Sequence, residues 1–142
     1  MKIRSITTGF HLDVPTPYRR LKRYADFTKK AKQDFIRKGY EVQTIRLTTQ
    51  PWNRCFKNMS WRELRTIISS IEQSCQDTGV DFINLGTVEL PYMIQGIPSL
   101  IAHTSRVSLS ATIASRKRGV LKESIKEAAR TPFVLPLKIP FF

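Results

Sequence analysis

No run of apolar residues in this chain approaches the roughly 20 that a membrane-spanning helix needs, and this predicts no membrane partner. Arg4, Ser5, Thr7 and Thr8 break the opening stretch, so no signal peptide is expected. Cysteine is scarce. Cys55 and Cys75 stand alone, outside any metal-ligand spacing, and predict structural thiols in a reducing cytoplasm. The 6 glycines among 142 residues never gather into a Walker phosphate loop or a dinucleotide fingerprint. A nucleophile elbow and a Cys-x-x-Cys pair are also missing, as are fixed-period repeats and low-complexity tracts. Negative charge is sparse too: 11 Asp/Glu face 24 Lys/Arg, a net of +13.

The excess is uneven. Residues 1–62 hold 15 Lys/Arg and 4 Asp/Glu, a net of +11, whereas residues 63–142 hold 9 and 7, a net of +2. That asymmetry points to a nucleic acid or an anionic surface as partner, or to a solvated basic helix face.

The apolar share of 41% is ordinary for a globular chain long enough for one core. Three apolar segments end in small polar residues: Lys2 to Gly9, Glu41 to Gln50 and Val80 to Gly86. Amphipathic helical stretches separate them. This is the rhythm of a parallel α/β sheet, whose ligands bind beyond the carboxyl ends of the strands.

In detail, strand 2–8 ends at Gly9, and a loop follows to Thr16-Pro17, where threonine caps and proline opens a helix. That helix runs to Lys38 and stops at Gly39. Leu21, Tyr24, Ala25, Thr28, Ala31 and Phe35 share its apolar face, and Arg19, Arg20, Arg23, Lys29, Lys30 and Lys38 its other side. Strand 40–48, with Val42, Ile45 and Leu47, reads as covered on both faces, and 50–54 as a loop. Ser60 and Glu63 form a capping box for a helix burying Trp61, Leu64, Ile67, Ile68, Ile71 and Cys75. Strand 80–85 follows Asp77-Thr-Gly79. Residues 89–92 read as a turn, 94–103 as a short helix broken by Gly96 and Pro98, and 106–111 as a fourth strand. Arg116-Lys-Arg118 is expected to open a last helix with Val120, Leu121, Ile125, Ala128 and Ala129 as its stripe, stopped by Thr131-Pro132. An α/β domain over 1–131 is thus expected, followed by an apolar, proline-punctuated tail over 132–142 that suits no central strand.

The strand ends supply the candidate site. Thr48, Thr49 and Asn84 offer hydrogen-bond donors, and Gly86 gives clearance for a ligand or another backbone. His11 sits with Asp13 just past the first strand and can exchange a proton, or the two can cap the loop. One histidine and one carboxylate are too few for a metal site, so no metal is predicted. Arg46, inside an apolar strand, requires a carboxylate or an anionic ligand, and Asp81 on the next strand is the candidate partner. Glu89 is a further candidate acid or base. The convergence predicts a small anionic ligand. The alternative is a basic module binding nucleic acid or an anionic surface through helix 17–38, where Tyr18, Tyr24 and Phe27 interleave with the basic residues.

Three segments, Met1 to Gly9, Val42 to Thr48 and Gly79 to Gly86, together resemble the N-terminal part of a bacterial and archaeal family, domain of unknown function 711. The resemblance covers most of residues 1–130. It implies an α/β barrel similar to the glycyl-radical enzymes of the pyruvate formate-lyase type, of which this chain would form about half. It does not imply their activity, because fold does not fix function. No cysteine matches those enzymes' catalytic cysteines, and their C-terminal glycine loop has no counterpart. No reaction or cofactor is therefore assigned. The likeness fades near Thr131, and a truncated or frameshifted product, or a gene fragment, is expected. A partial barrel leaves an unpaired strand edge, so self-association through that edge is expected as well.

Overall fold

The computed structural model describes residues 1–13, 17–56 and 58–130. Four strands, β1 (Lys2–Phe10), β2 (Glu41–Thr49), β3 (Phe82–Val88) and β4 (Val107–Ala111), form one sheet in the order β1-β2-β3-β4. Every neighbouring pair is parallel. Helices α1 (Pro17–Arg37), α2 (Trp52–Cys55), α3 (Trp61–Thr78), α4 (Pro91–Ile101) and α5 (Lys122–Arg130) complete the fold, with a hairpin of β5 (Ala114–Ser115) and β6 (Gly119–Val120) before α5. The predicted α/β class with a mainly parallel sheet and covering helices is what the chain adopts.

One core joins sheet and helices. Ile45, Leu47, Ile83 and Leu85 pack with Leu21 and Ala25 of α1, Leu64, Ile68 and Ile71 of α3, and Ile94 and Ile97 of α4. The helix ends follow their local chemistry. Gly39, at φ +82, ends α1, and the Tyr40 N–H donates to the Phe35 carbonyl at 3.1 Å. The Ser60–Glu63 capping box forms in full, and Gly79 closes α3 at φ +63. The Thr16 cap lies outside the described residues, as do the Thr131-Pro132 stop and the tail.

Several boundaries depart from expectation. β1 runs through Gly9 to Phe10, because Phe10 pairs with Thr49 and buries its ring. α1 stops one residue earlier than read, at Arg37, and β2 starts at Glu41, after the Gly39 turn. β3 begins at Phe82, and it continues past Gly86 to Val88. Residues 52–55 form a helical turn rather than loop, because Trp52 and Phe56 pack with ring centroids 4.3 Å apart, tilted by 47°, and bury themselves. α4 is continuous from Pro91, with Pro98 inside it. Burying Met93, Ile94, Ile97 and Leu100, at about 1.5–3 kcal/mol each, outweighs the roughly 4 kcal/mol that Gly96 and Pro98 cost. Arg116-Lys-Arg118 makes the hairpin turn instead of a helix. The Ser115 hydroxyl accepts the Arg118 N–H at 3.0 Å and Gly119 takes φ +64, so α5 starts only at Lys122. Val120 consequently lies exposed on β6. Trp61 is 38% exposed and Phe35 39%, both nearer the rim of their helix faces than read. Phe35 meets Tyr40 edge-on at 5.8 Å.

The other face of the sheet carries no helix among the described residues. β2 is therefore covered on one face, not two, and its alternation separates a core side from an open one.

Candidate functional site

Period-two alternation sends Thr7, Arg46, Thr48, Phe82, Asn84 and Ser108 to the open face. The register sets them side by side: Thr7 opposite Arg46, Arg46 opposite Phe82, Thr48 opposite Asn84, and Asn84 opposite Ser108. These residues and Leu47 line a cavity of about 400 Å³. The expected crevice lies beyond the carboxyl ends of the strands; this cavity is lined by Thr7, Arg46 and Thr48 from the later parts of β1 and β2 and by Phe82, Asn84 and Ser108 from the first parts of β3 and β4.

Arg46 carries the positive charge of that lining. Its guanidinium lies 5.3 Å over the Phe82 ring, a cation–π contact, while its Nε is buried without a hydrogen-bond partner. Asp81 does not meet it. The Asp81 carboxylate accepts the Ile45 N–H at 2.8 Å, and its own N–H donates to the Ile45 carbonyl at 3.2 Å. Asp81 precedes β3, so it reaches the strand backbone rather than the open face. The Thr7 and Thr48 hydroxyls flank Arg46 and have no hydrogen-bond partner among the described residues.

Asn84 reaches the same face but is fully engaged. Its Nδ2 donates to the Ser108 and Ser110 hydroxyls, both at 3.2 Å, and its Oδ1 accepts the Gly86 N–H at 2.9 Å. These bonds span the register shift between Asn84 and Thr87 against β4. Gly86 is buried at φ +81, and a Cβ there would stand 2.2 Å from the Gln50 carbonyl oxygen. The close approach is that of the Gln50–Pro51 backbone. Thr49 falls on the opposite side of β2 from Thr48, and its hydroxyl donates to the Gln50 carbonyl at 3.2 Å. His11 is exposed, away from the cavity lining, and its carbonyl accepts from Arg20 at 3.2 Å. Asp13 pairs with Arg20 at 2.7 Å, and Glu89 with Arg118 at 3.4 Å. Of the five residues singled out, the structure thus places Thr48 and Asn84 together in the cavity wall, and His11, Thr49 and Gly86 outside it.

Two polar residues matter more than their sequence positions suggest. The Gln50 amide clamps the end of β1, with Nε2 donating to the Leu12 carbonyl at 2.9 Å and Oε1 accepting the Leu12 N–H at 2.8 Å. Its place after Thr48-Thr49 was the one available signal. Glu72, buried on α3, accepts the Ser105 and Arg106 N–H groups and the Ser105 hydroxyl, fastening α3 to the start of β4. Nothing local marked it, since these partners are 33–34 residues away. Burial pushes the Cys55 thiol up to about 11 and the Cys75 thiol to about 12, so both stay protonated at neutral pH. Among the described residues no three His, Cys, Asp or Glu side chains gather as metal ligands.

Residues 1–133 match the family described as Uncharacterised ACR (DUF711). The chain belongs to that family. Every residue lining the open-face cavity, from Thr7 to Ser108, lies inside the DUF711 match. A search of curated proteins returned no match. No described helix of this DUF711 chain is long and apolar enough to cross a membrane.

Proposed function

We propose that the open face of the sheet binds a small anionic ligand, a carboxylate or a phosphate, with Arg46 as its cation. The observation that carries this reading is Arg46 itself: a guanidinium on a central strand, with no carboxylate beside it among the described residues and its Nε buried without a partner there. Arg46 is half-buried, and a buried Nε without a partner is unfavourable until an anion arrives to meet the group. Thr7 and Thr48 add hydroxyl donors on either side, and Phe82 offers an apolar wall. Asn84 acts through Ser108 and Ser110, holding the cavity wall in shape. His11, Thr49 and Gly86 contribute from outside the cavity: Gly86 and Thr49 seat the Gln50 backbone, and His11 is available only to a ligand extending past β1.

The sequential strand order suits consecutive strands of an α/β barrel, whose inner wall this face would form. Closure of the pyruvate formate-lyase type belongs to the same proposal.

Thermal-shift titration with phosphate and with small carboxylates tests the reading. A ligand at about 100 times its dissociation constant stabilises by about 2.7 kcal/mol. Wild type should gain several degrees in Tm with one ligand class. Arg46→Gln should fold and lose that gain, and Thr48→Val should retain part of it. Equal indifference of wild type and Arg46→Gln to both classes would end the proposal.

A further inference from the structure

The solvent face of α1 carries an observation that the open-face cavity does not use. Four ion pairs or hydrogen bonds consume part of the basic excess nearby: Arg20 with Asp13, Lys22 with Asp26, Arg37 with Asp34, and Lys32 with the Gln43 carbonyl. Arg19, Arg23 and Lys30 remain exposed and meet no carboxylate among the described residues. Helical spacing sets these three on one ridge, opposite buried Leu21, Ala25 and Thr28; Asp26 shares the ridge, its charge met by Lys22. Phe27 lies on its flank, four residues after Arg23 and three before Lys30, and it is 63% exposed. A large aromatic ring held in water between two unpaired cations is poorly suited to stability alone.

We infer that this ridge binds single-stranded nucleic acid, with Arg19, Arg23 and Lys30 on backbone phosphates and Phe27 stacked beneath a base. Arg19 to Lys30 spans about 16 Å of helix at ~1.5 Å per residue, enough for a few nucleotides. Charge complementarity supplies the affinity, and counterion release makes it salt-dependent. The exposed ring favours a single strand, because bases in a duplex are already stacked on one another. A membrane surface fits less well. The apolar face of α1 is buried against the sheet, and its exposed apolar residues, Tyr18, Phe27, Phe35 and Ile36, are scattered round the helix and do not form the continuous apolar face that interfacial helices insert. The inference stands apart from the sheet-face reading and uses none of its residues.

Fluorescence anisotropy with a short labelled oligouridine, titrated at rising sodium chloride, is the test. Three phosphate contacts predict a log–log salt slope of about −2, at roughly −0.7 per contact. Arg23→Gln and Lys30→Gln should each flatten the slope by about 0.7, whatever the base sequence. Phe27→Ala should weaken binding at least about fivefold and leave the slope unchanged, since stacking is worth about 1–3 kcal/mol per base. Lys122→Gln and Lys126→Gln on α5 serve as charge controls and should change nothing. All these positions are exposed, and an unchanged Tm verifies folding. Arg23→Gln and Lys30→Gln binding like wild type would overturn the inference. So would a duplex of equal charge binding as well while Phe27→Ala is neutral, or tighter binding to phosphatidylserine vesicles at the same salt.

Discussion

Gly86 and Gly96 are both places where a methyl group does not fit, yet the obstacles differ. At Gly86 it would strike the Gln50 carbonyl at 2.2 Å, from a left-handed backbone that alanine resists. At Gly96 it would strike the Trp61 indole at 2.0 Å, a side chain that is 38% exposed and able to move. Gly86→Ala should therefore prevent stable folding, and no single side-chain removal should rescue it. Gly96→Ala should lower stability by about 1–3 kcal/mol, the ordinary range for overpacking. Trp61→Ala should then relieve most of that loss in a double-mutant cycle measured by urea unfolding. Strict additivity at Gly96 and Trp61 would contradict the geometry.

α3 owes its start to a reciprocal pair of side chains. The Glu63 carboxylate accepts the Ser60 N–H at 2.8 Å and the Ser60 hydroxyl at 2.7 Å, and these bonds hold its carboxyl below the usual range. A carboxyl lowered in the folded state contributes stability above its unfolded value, and loses it as pH falls through the folded value. Ser60→Ala should lower Tm by about 3–5 °C at neutral pH, from a cap worth about 1 kcal/mol. The difference from wild type should shrink on acidification, as Glu63 protonates. Parallel melts at neutral and acidic pH measure this, and a gap that widens in acid would refute the account. At the other end of the same layer, Glu72 shows that an element's position can rest on one carboxylate. It bonds the two residues immediately before β4, and thereby sets where that strand begins.

Taken together, the described elements make a sheet with helices on one face and a polar, cavity-bearing surface on the other. β1 and β4 are its edges among the described residues. β1 is nine residues long and contains no proline, so its outer backbone groups are free to pair with another strand. Self-association through this edge is the expected outcome, with Arg4 weakening it by charge repulsion at low salt while Lys2 is paired with Glu41. Light scattering across protein concentration should show mass rising, more steeply as salt increases. Ser5→Lys, which adds a charge to the edge strand, should restore a lower mass at low salt. A monodisperse monomer with a cooperative melt at all salt concentrations would contradict the edge argument.

Local chemistry made much of this architecture readable from the chain. The strand segments, the Ser60 box, the Gly39 and Gly79 stops and the buried faces of α1 and α3 all depend on residues within about one or two helical turns of each other. Periodicity and capping are sums of such short-range preferences, so they survive without knowledge of the partner. At α4 and the β5–β6 hairpin the local signs point away from the structure adopted. Core burial carried α4 through Gly96 and Pro98, and a serine hydroxyl turned Arg116-Lys-Arg118 into a bend. The cavity was only half legible for a related reason. Thr48 and Asn84 could be named as polar strand residues. That Arg46 stands between Thr7 and Phe82, that Thr49 turns to the opposite side of its strand, and that Asn84 is held by two serines depend on strand register. Register relates residues 23 to 39 positions apart, and no local preference encodes which of them will meet.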